Sequence, residues 1–383
     1  MNFTSMTTID HPKTSVASLS ISALEGVASP ALVLDGKVIA RNAQRMAKYV
    51  AEHGLKLRPH TKTHKSQKLA KLQMELGAIG LTVAKSGEAE VMAKEADEIL
   101  VAYPALDAFR ASRLASLAQK CQVLVAVDSL MAVESLATAA VQRGTEIGLL
   151  VDLDVGMHRT GLQSAPQTLD LATTIEKTKG VRLRGLFCYP GHVWNRPQEQ
   201  DAPLKEVADK LEETLQLWRS KDFHADIVSG GSTPTAFQSH LVTPYTEIRP
   251  GTYMFNDMNT VRGGFCDLQD CAASVLCTVV STSVKNQVVL DGGSKTFGMD
   301  RCIPALGSGH GYLIDYPEAK ITALSEEHAQ VDISQCASPP KLGERLRVIP
   351  NHICPCVNLQ DRLVWMENDE VNFINVDARG MLS

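Results

Sequence analysis

The sequence is most informative at first for what it lacks. No apolar run in its 383 residues reaches the ~18 that a membrane-spanning helix needs. Basic residues do not exceed acidic ones: 38 Lys and Arg stand against 43 Asp and Glu, for a formal charge of −5 and a pI near 6.1. That balance gives no reason to expect a nucleic-acid partner. The first twenty residues, MNFTSMTTIDHPKTSVASLS, have neither a basic start nor an apolar centre, so no secretory signal is expected. The nine cysteines are odd in number and irregularly spaced, which argues for free thiols in a reducing, cytoplasmic setting over a disulfide framework. Internal repeats and low-complexity tracts are also missing, apart from the Ser/Thr-rich N-terminus.

What is present is alternation. Short β-branched runs fall at 55–60, 78–84, 98–103, 122–127, 146–154, 181–189, 225–230 and 245–251. Between them lie stretches of helical period, such as GKVIARNAQRMAKYVAEHG and DAPLKEVADKLEETLQLWRSK. Eight buried-type strands alternating with helices predict a parallel βα barrel over residues 30–255. After residue 256 the runs read as strands joined by turns without a convincing helix, predicting a second, all-β domain over 256–383. Residues 1–29 are expected to associate with that domain. The run PALVLD at 30–35 is expected to pair there too, outside the barrel.

Active sites of such barrels sit at the C-terminal ends of the strands. The distinctive polar residues fall there: RPHTKTHK after the first strand, DVGMHRTG after the fifth, YPGH after the sixth, SGGSTPT after the seventh and RPGTY after the eighth. SGGSTPT can offer backbone N–H groups and hydroxyls to a phosphate. With a lysine across the barrel mouth, this points to pyridoxal phosphate, whose aldehyde forms a Schiff base with the amine.

Taken together and in this order, RPHTKTHKS, DVGMHRTG, SGGSTPT, RPGTYMF and PNHICPCVNLQD resemble the D-threonine aldolase and D-serine dehydratase family, on its dehydratase-like branch. The resemblance runs from about Pro30 to Gly380. It implies the alanine-racemase fold, a (βα)8 barrel followed by a β domain, and pyridoxal 5'-phosphate as cofactor. It places the Schiff base on Lys62, with His60 also at the cofactor and Lys65 as a supporting charge. Arg159 is implied at the cofactor's phenolic oxygen and Tyr189 beside the ring. Gly230, Gly231, Ser232 and Thr233 would cradle the phosphate, with Gly251 and Tyr253 closing it. Arg249 would face the pyridine nitrogen and keep it unprotonated.

A second cluster, IPNHICPC at 349–356, supplies His352, Cys354 and Cys356. On an alternating strand, His352 and Cys354 would share one face. Imidazole with thiolate suits Zn²⁺, and two protein ligands leave positions for water and substrate. The resemblance makes His352 and Cys354 the metal ligands, with Zn²⁺ first and Mn²⁺, Co²⁺ or Mg²⁺ as alternatives. Cys356 is read as a packing residue, and Asp361 and His328 as outer partners of the metal.

These residues imply a metal-assisted lyase acting on a D-3-hydroxy amino acid: D-serine, D-threonine or D-threo-3-hydroxyaspartate. Dehydration to a 2-oxo acid and ammonia is expected. The resemblance associates His-x-Cys with dehydratases, whereas aldolases carry His-x-Asp and a histidine six residues after the barrel tyrosine. That position is Asn195 here, with His192 nearby. Retro-aldol cleavage to glycine and an aldehyde is the alternative. A racemase would want a second acid or base from the β domain, and a non-catalytic cofactor carrier would have no use for residues 256–383. By analogy a homodimer is expected, with no nucleic-acid or membrane partner.

Overall fold

The computed structural model describes residues 21–383. Seventeen strands, numbered along the chain, divide between two sheets. Strand β1 (Ala31–Asp35) comes first, followed by the eight of the barrel. These are β2 (Lys56–Leu57), β3 (Leu81–Val83), β4 (Glu98–Val101), β5 (Gln122–Val127), β6 (Ile147–Asp152), β7 (Val181–Phe187), β8 (Ile227–Gly230) and β9 (Glu247–Ile248). All pair in parallel in the order β2-β9-β8-β7-β6-β5-β4-β3. Between β2 and β3 the ring is completed by Ile79 N–H to Leu57 O, Thr82 N–H to Pro59 O and a parallel bridge of His60 with Thr82.

The strands are apolar on both faces because both are covered. Val123, Val125 and Val127 pack outward in the main core, while Leu124 and Ala126 turn inward with Leu100, Leu150, Phe187 and Ile227. Helix α1 (Gly36–Glu52) starts where the Asp35 carboxylate accepts the Val38 N–H at 3.1 Å. Charged and polar side chains are buried in the barrel as well. Arg58 lies 2.8 Å from Glu247 and 2.6 Å from Glu98. The Ser229 hydroxyl donates to Glu247 and accepts from Arg249, each at 2.6 Å. This chain of charges carries Arg249 up to the barrel mouth already bonded.

The second sheet holds β10 (Ala273–Ser281), β11 (Gln287–Leu290), β12 (Tyr312–Leu313), β13 (Lys320–Leu324), β14 (Ala329–Asp332), β15 (Arg345–Ile349), β16 (Arg362–Glu367) and β17 (Glu370–Asn375). Strand β1 lies antiparallel to β10 and parallel to β16, as PALVLD was expected to do. Of the segment 1–29, the first twenty residues lie outside the described part. Leu24 and Val27 pack on Val33, Leu276, Val364 and Met366 of this sheet.

Two expectations are corrected. Residues 256–383 do contain helical turns: Met258–Arg262, Ser294–Phe297 and Ile353–Asn358. The IPNHICPC stretch is not a strand throughout either. Pro350 follows the last residue of β15, and His352 becomes the N-cap of the helix Ile353–Asn358. Pro355 fits there because the first turn of a helix needs no N–H from it. Among the described residues no helix is long and apolar enough to cross a membrane.

Candidate active site

A cavity of about 520 Å³ opens where the barrel strands end against residues 252–260 and 303–354. That volume is of the size that holds a small organic ligand. His60, Lys62, Arg159, Tyr189, Gly231, Ser232, Thr233, Arg249, Gly251, His352 and Cys354 all line it, so residues nearly 300 positions apart in sequence meet around one space.

The lysine loop is fixed by its backbone. His60 N–H donates to Pro250 O at 3.0 Å, and the Thr61 hydroxyl donates to Thr82 O at 3.1 Å. Thr61–Thr63 form a single 3-10 turn that leaves Lys62 facing the cavity. The His60 imidazole is pushed well below its usual pKa by burial, then by the charges of Lys62 and Arg249. It is therefore a neutral group at neutral pH. Lys65 does not line the cavity and lies in the seam behind it.

On the facing wall, Gly231 sits at φ +78°, a left-handed conformation that suits glycine, and a Cβ there would come 3.0 Å from Ile248. A Cβ on Gly251 would lie 3.0 Å from the Thr63 hydroxyl and 3.2 Å from His60 O. The two glycines thus let three loops converge. The Thr233 hydroxyl accepts the N–H groups of Gly251 and Thr252 at 3.3 and 3.0 Å. Arg249 is buried, donates to Cys188 O at 2.6 Å and lies 3.8 Å over the Phe187 ring. Arg159 stacks on Tyr189 at 4.8 Å.

Two expected phosphate residues are elsewhere. Gly230 is packed under Tyr245, where a Cβ would fall 2.1 Å from the ring. Tyr253 turns into the core, where its hydroxyl accepts a hydrogen bond from Gln73 at 3.1 Å. Thr252, beside it, takes the cavity-facing position.

At the other end, helix Ile353–Asn358 begins against Asp257, whose buried carboxyl accepts the Ile353 N–H at 3.0 Å and the Thr260 N–H at 3.1 Å. His352 Nδ1 bonds the Asp300 carboxylate. Cys354 Sγ lies 3.3 Å from the Thr63 hydroxyl and 3.9 Å from that of Thr252. Burial pushes the Cys354 thiol up, but its hydrogen bond with His352, the Thr63 hydroxyl and the Lys62 charge together bring it below the ordinary value. For His352 burial acts downward, and Cys354, Asp257 and Asp300 outweigh it, raising the imidazolium to about 10. The two side chains lie within hydrogen-bonding reach of each other, and together imidazole and thiol are a donor set that suits a borderline-soft divalent cation. Among the described residues no group of three or more His, Cys, Asp or Glu could hold a metal, so a metal here would keep open positions.

The outer partners expected from sequence are corrected. Asp361 is exposed and pairs with Arg379, and His328 lies at an exposed turn between β13 and β14. The carboxyls that do bond this stretch are Asp300, at His352, and Asp257, at the Ile353 N–H, drawn from segments 52 to 96 residues away. Sequence reading also passed over Asp152 at the end of β6. It lines the cavity, and burial, with Asp128 beside it, raises its carboxyl to about 6. Its place at the tip of EIGLLVDLD was the available signal. Cys356 packs as expected, its thiol 2.9 Å from Phe297 O. His192 and Asn195 are exposed and do not line the cavity, which Trp194 enters between them.

Comparison with known proteins shows the family and fold. The alanine racemase N-terminal domain matches residues 34–259, and a putative serine dehydratase domain matches 272–366. D-threonine aldolase of Arthrobacter sp. is 31% identical over 365 residues, covering 93% of this chain and 94% of that protein. D-threo-3-hydroxyaspartate dehydratase of Delftia sp. (strain HT23) is 30% identical over 348 residues, covering 85% and 90%. A solved D-threo-3-hydroxyaspartate dehydratase, a cysteine-to-alanine variant in the metal-free form, superposes with a TM-score of 0.85 at 27% identity, covering 92% of this chain and 98% of its own. The chain belongs to the D-threonine aldolase and D-serine dehydratase family of pyridoxal-phosphate-dependent lyases, built on the alanine-racemase fold.

Proposed function

We propose that this protein is a metal-assisted dehydratase of D-3-hydroxy amino acids such as D-serine, D-threonine or D-threo-3-hydroxyaspartate, releasing a 2-oxo acid and ammonia. Pyridoxal phosphate, when bound through Lys62, supplies the electron sink that makes a substrate's α-proton acidic. The Gly231–Thr233 loop, braced by the bonds of Gly251 and Thr252 N–H to the Thr233 hydroxyl, is the segment that would hold its phosphate, and His352 with Cys354 would hold Zn²⁺ or a similar cation. That cation would supply Lewis acidity at a β-hydroxyl.

The chain's own groups divide the remaining work. The Lys62 amine is the base placed to take the α-proton, and neutral His60 adds no competing charge beside it. Arg249 enters the site with its two outer nitrogens already bonded to Ser229 and Cys188, so its charge is fixed in place. Thr63 and Thr252 hold the Cys354 thiol toward the lysine loop.

The observation that carries the choice of dehydration is the wall around Tyr189. Retro-aldol cleavage needs a base to deprotonate the β-hydroxyl, whereas dehydration needs that oxygen protonated as it leaves. Asn195 is exposed and not basic, and exposed His192 lies against Gly156 outside the cavity. The likeness to D-threonine aldolase supports the second reading, cleavage to glycine and an aldehyde. A homodimer is also part of this proposal. Phe109, Leu306 and Leu106 are 64%, 65% and 45% exposed, close in sequence to the cavity residues Tyr103, Pro104 and Ile303, and would gain from cover.

A product assay decides between the readings. With D-serine or D-threonine the expected products are ammonia with pyruvate or 2-oxobutyrate. Glycine with an aldehyde, and no ammonia, would overturn the proposal in favour of the aldolase.

A further inference from the structure

Of the two lysines in RPHTKTHK, the proposed chemistry uses only Lys62. Lys65 is 5% exposed and has φ +51°, a left-handed conformation that a non-glycine residue adopts only when its surroundings hold it there. The turn drops its side chain into the seam between the barrel and the second sheet. There Nζ lies 3.1 Å from Glu88 Oε1 and donates to Asn358 Oδ1 at 2.7 Å. Glu88 is itself buried and accepts the Ala84 N–H at 2.8 Å, just beyond β3. Asn358 is the last residue of the helix that His352 opens. The backbone around Lys65 is held as well, since Ala378 N–H donates to Lys65 O at 2.9 Å and Gln67 N–H to Asp377 Oδ2 at 2.7 Å.

Three elements therefore meet on one ammonium group: the helix Ser86–Met92 after β3 through Glu88, the loop of Lys62, and the helix of His352 and Cys354 through Asn358. A buried ammonium cannot be left unpaired, so any slide of the helix away from the loop costs a charge-assisted hydrogen bond. We propose that Lys65 is a positioning residue that locks the His352–Cys354 helix against the Lys62 loop through Asn358, setting the separation between amine and metal pair. This rests on the reading that those two residues bind a divalent metal beside the cofactor lysine.

The test uses cofactor-loaded protein freed of metal by chelation and titrated with Zn²⁺. Metal occupancy is read by elemental analysis and the lysine–cofactor link by visible absorbance. Asn358→Ala breaks only the arm to the metal helix. It is expected to raise the Zn²⁺ concentration for half-occupancy at least fivefold, leave the absorbance unchanged and lower kcat more than it raises KM. Asn358→Asp keeps an acceptor for the ammonium and is expected to restore Zn²⁺ binding. Lys65→Met, which loses both arms, should weaken Zn²⁺ binding further while still forming the link to Lys62. Three results overturn the inference: Zn²⁺ binding within twofold of wild type in Asn358→Ala, no rescue by Asn358→Asp, or metal and cofactor lost together. Wild-type protein that takes up no Zn²⁺ would instead remove the metal reading itself, and this inference with it.

Discussion

The two halves of the cavity are held by different physics. The Lys62 half hangs on a closed parallel ladder, and its residues are carried to the mouth by strand register and the chain Glu98–Arg58–Glu247–Ser229–Arg249. The His352–Cys354 half has no strand under it. His352 and Cys354 sit at the start of a six-residue helix fixed by a carboxyl cap from Asp257, a bond from Asp300 and the Lys65 joint. A ladder spreads its load over many hydrogen bonds, whereas a cap concentrates it in a few. The His352–Cys354 half should therefore yield to single polar substitutions that leave the barrel intact.

The largest effect expected is on the ladder side. Lys62→Ala should lower kcat/KM by about 10³-fold or more and abolish the borohydride-trappable link, while Zn²⁺ binding persists. Loss of the link in Lys65→Ala, with Lys62→Ala still linked, would reverse the assignment of the two lysines.

His64, in the same loop, gives a pH signature. Its ring lies 3.2 Å from Gln73 Oε1 and accepts the Ser66 N–H, and burial lowers its pKa from 6.5 to about 4. The unfolded chain takes up this proton first, so the group costs stability as pH falls from 6.5 towards 4 and nothing above that window. The loss should reach about 3 kcal/mol. Denaturant titrations of wild type and His64→Gln at pH 7 and pH 4 would measure it, and equal slopes for the two would contradict it.

On the cap side, Asp257→Asn should weaken metal binding about 10- to 100-fold, as loss of a group orienting a ligand does. Cofactor absorbance should not change. If absorbance and metal fell together, the two halves would not be separable as described.

The smallest effect expected is at Tyr253. Tyr253→Phe should cost about 1 kcal/mol through the lost Gln73 bond and leave cofactor affinity unchanged. A tenfold fall in affinity would return this residue to the phosphate site.

The same contrast governs what could be read from the chain. Barrel residues were legible because strand order places the ends of the apolar runs on one rim, so His60, Lys62, Arg159 and Arg249 could be assigned to a common mouth. Tyr253 was misplaced because a 3-10 turn at Thr252–Met254 directs neighbouring side chains to opposite sides, which period alone does not reveal. The helix at Ile353–Asn358 was hidden because six residues are too few for a helical period to show, and its start depends on Asp257, a cap almost a hundred residues away. Asp300 was missed for the same reason: hydrogen bonds that cross the chain leave no local pattern.

The central claim is that one cavity joins a cofactor lysine to a metal-binding pair, and that both are needed to expel the β-hydroxyl. Ammonia release from D-serine, followed together with cofactor absorbance before and after prolonged chelation, tests it most directly. Chelated protein should keep its colour and lose ammonia release, and added Zn²⁺, Mn²⁺ or Co²⁺ should restore it. Undiminished ammonia release from protein shown to be metal-free would contradict the claim.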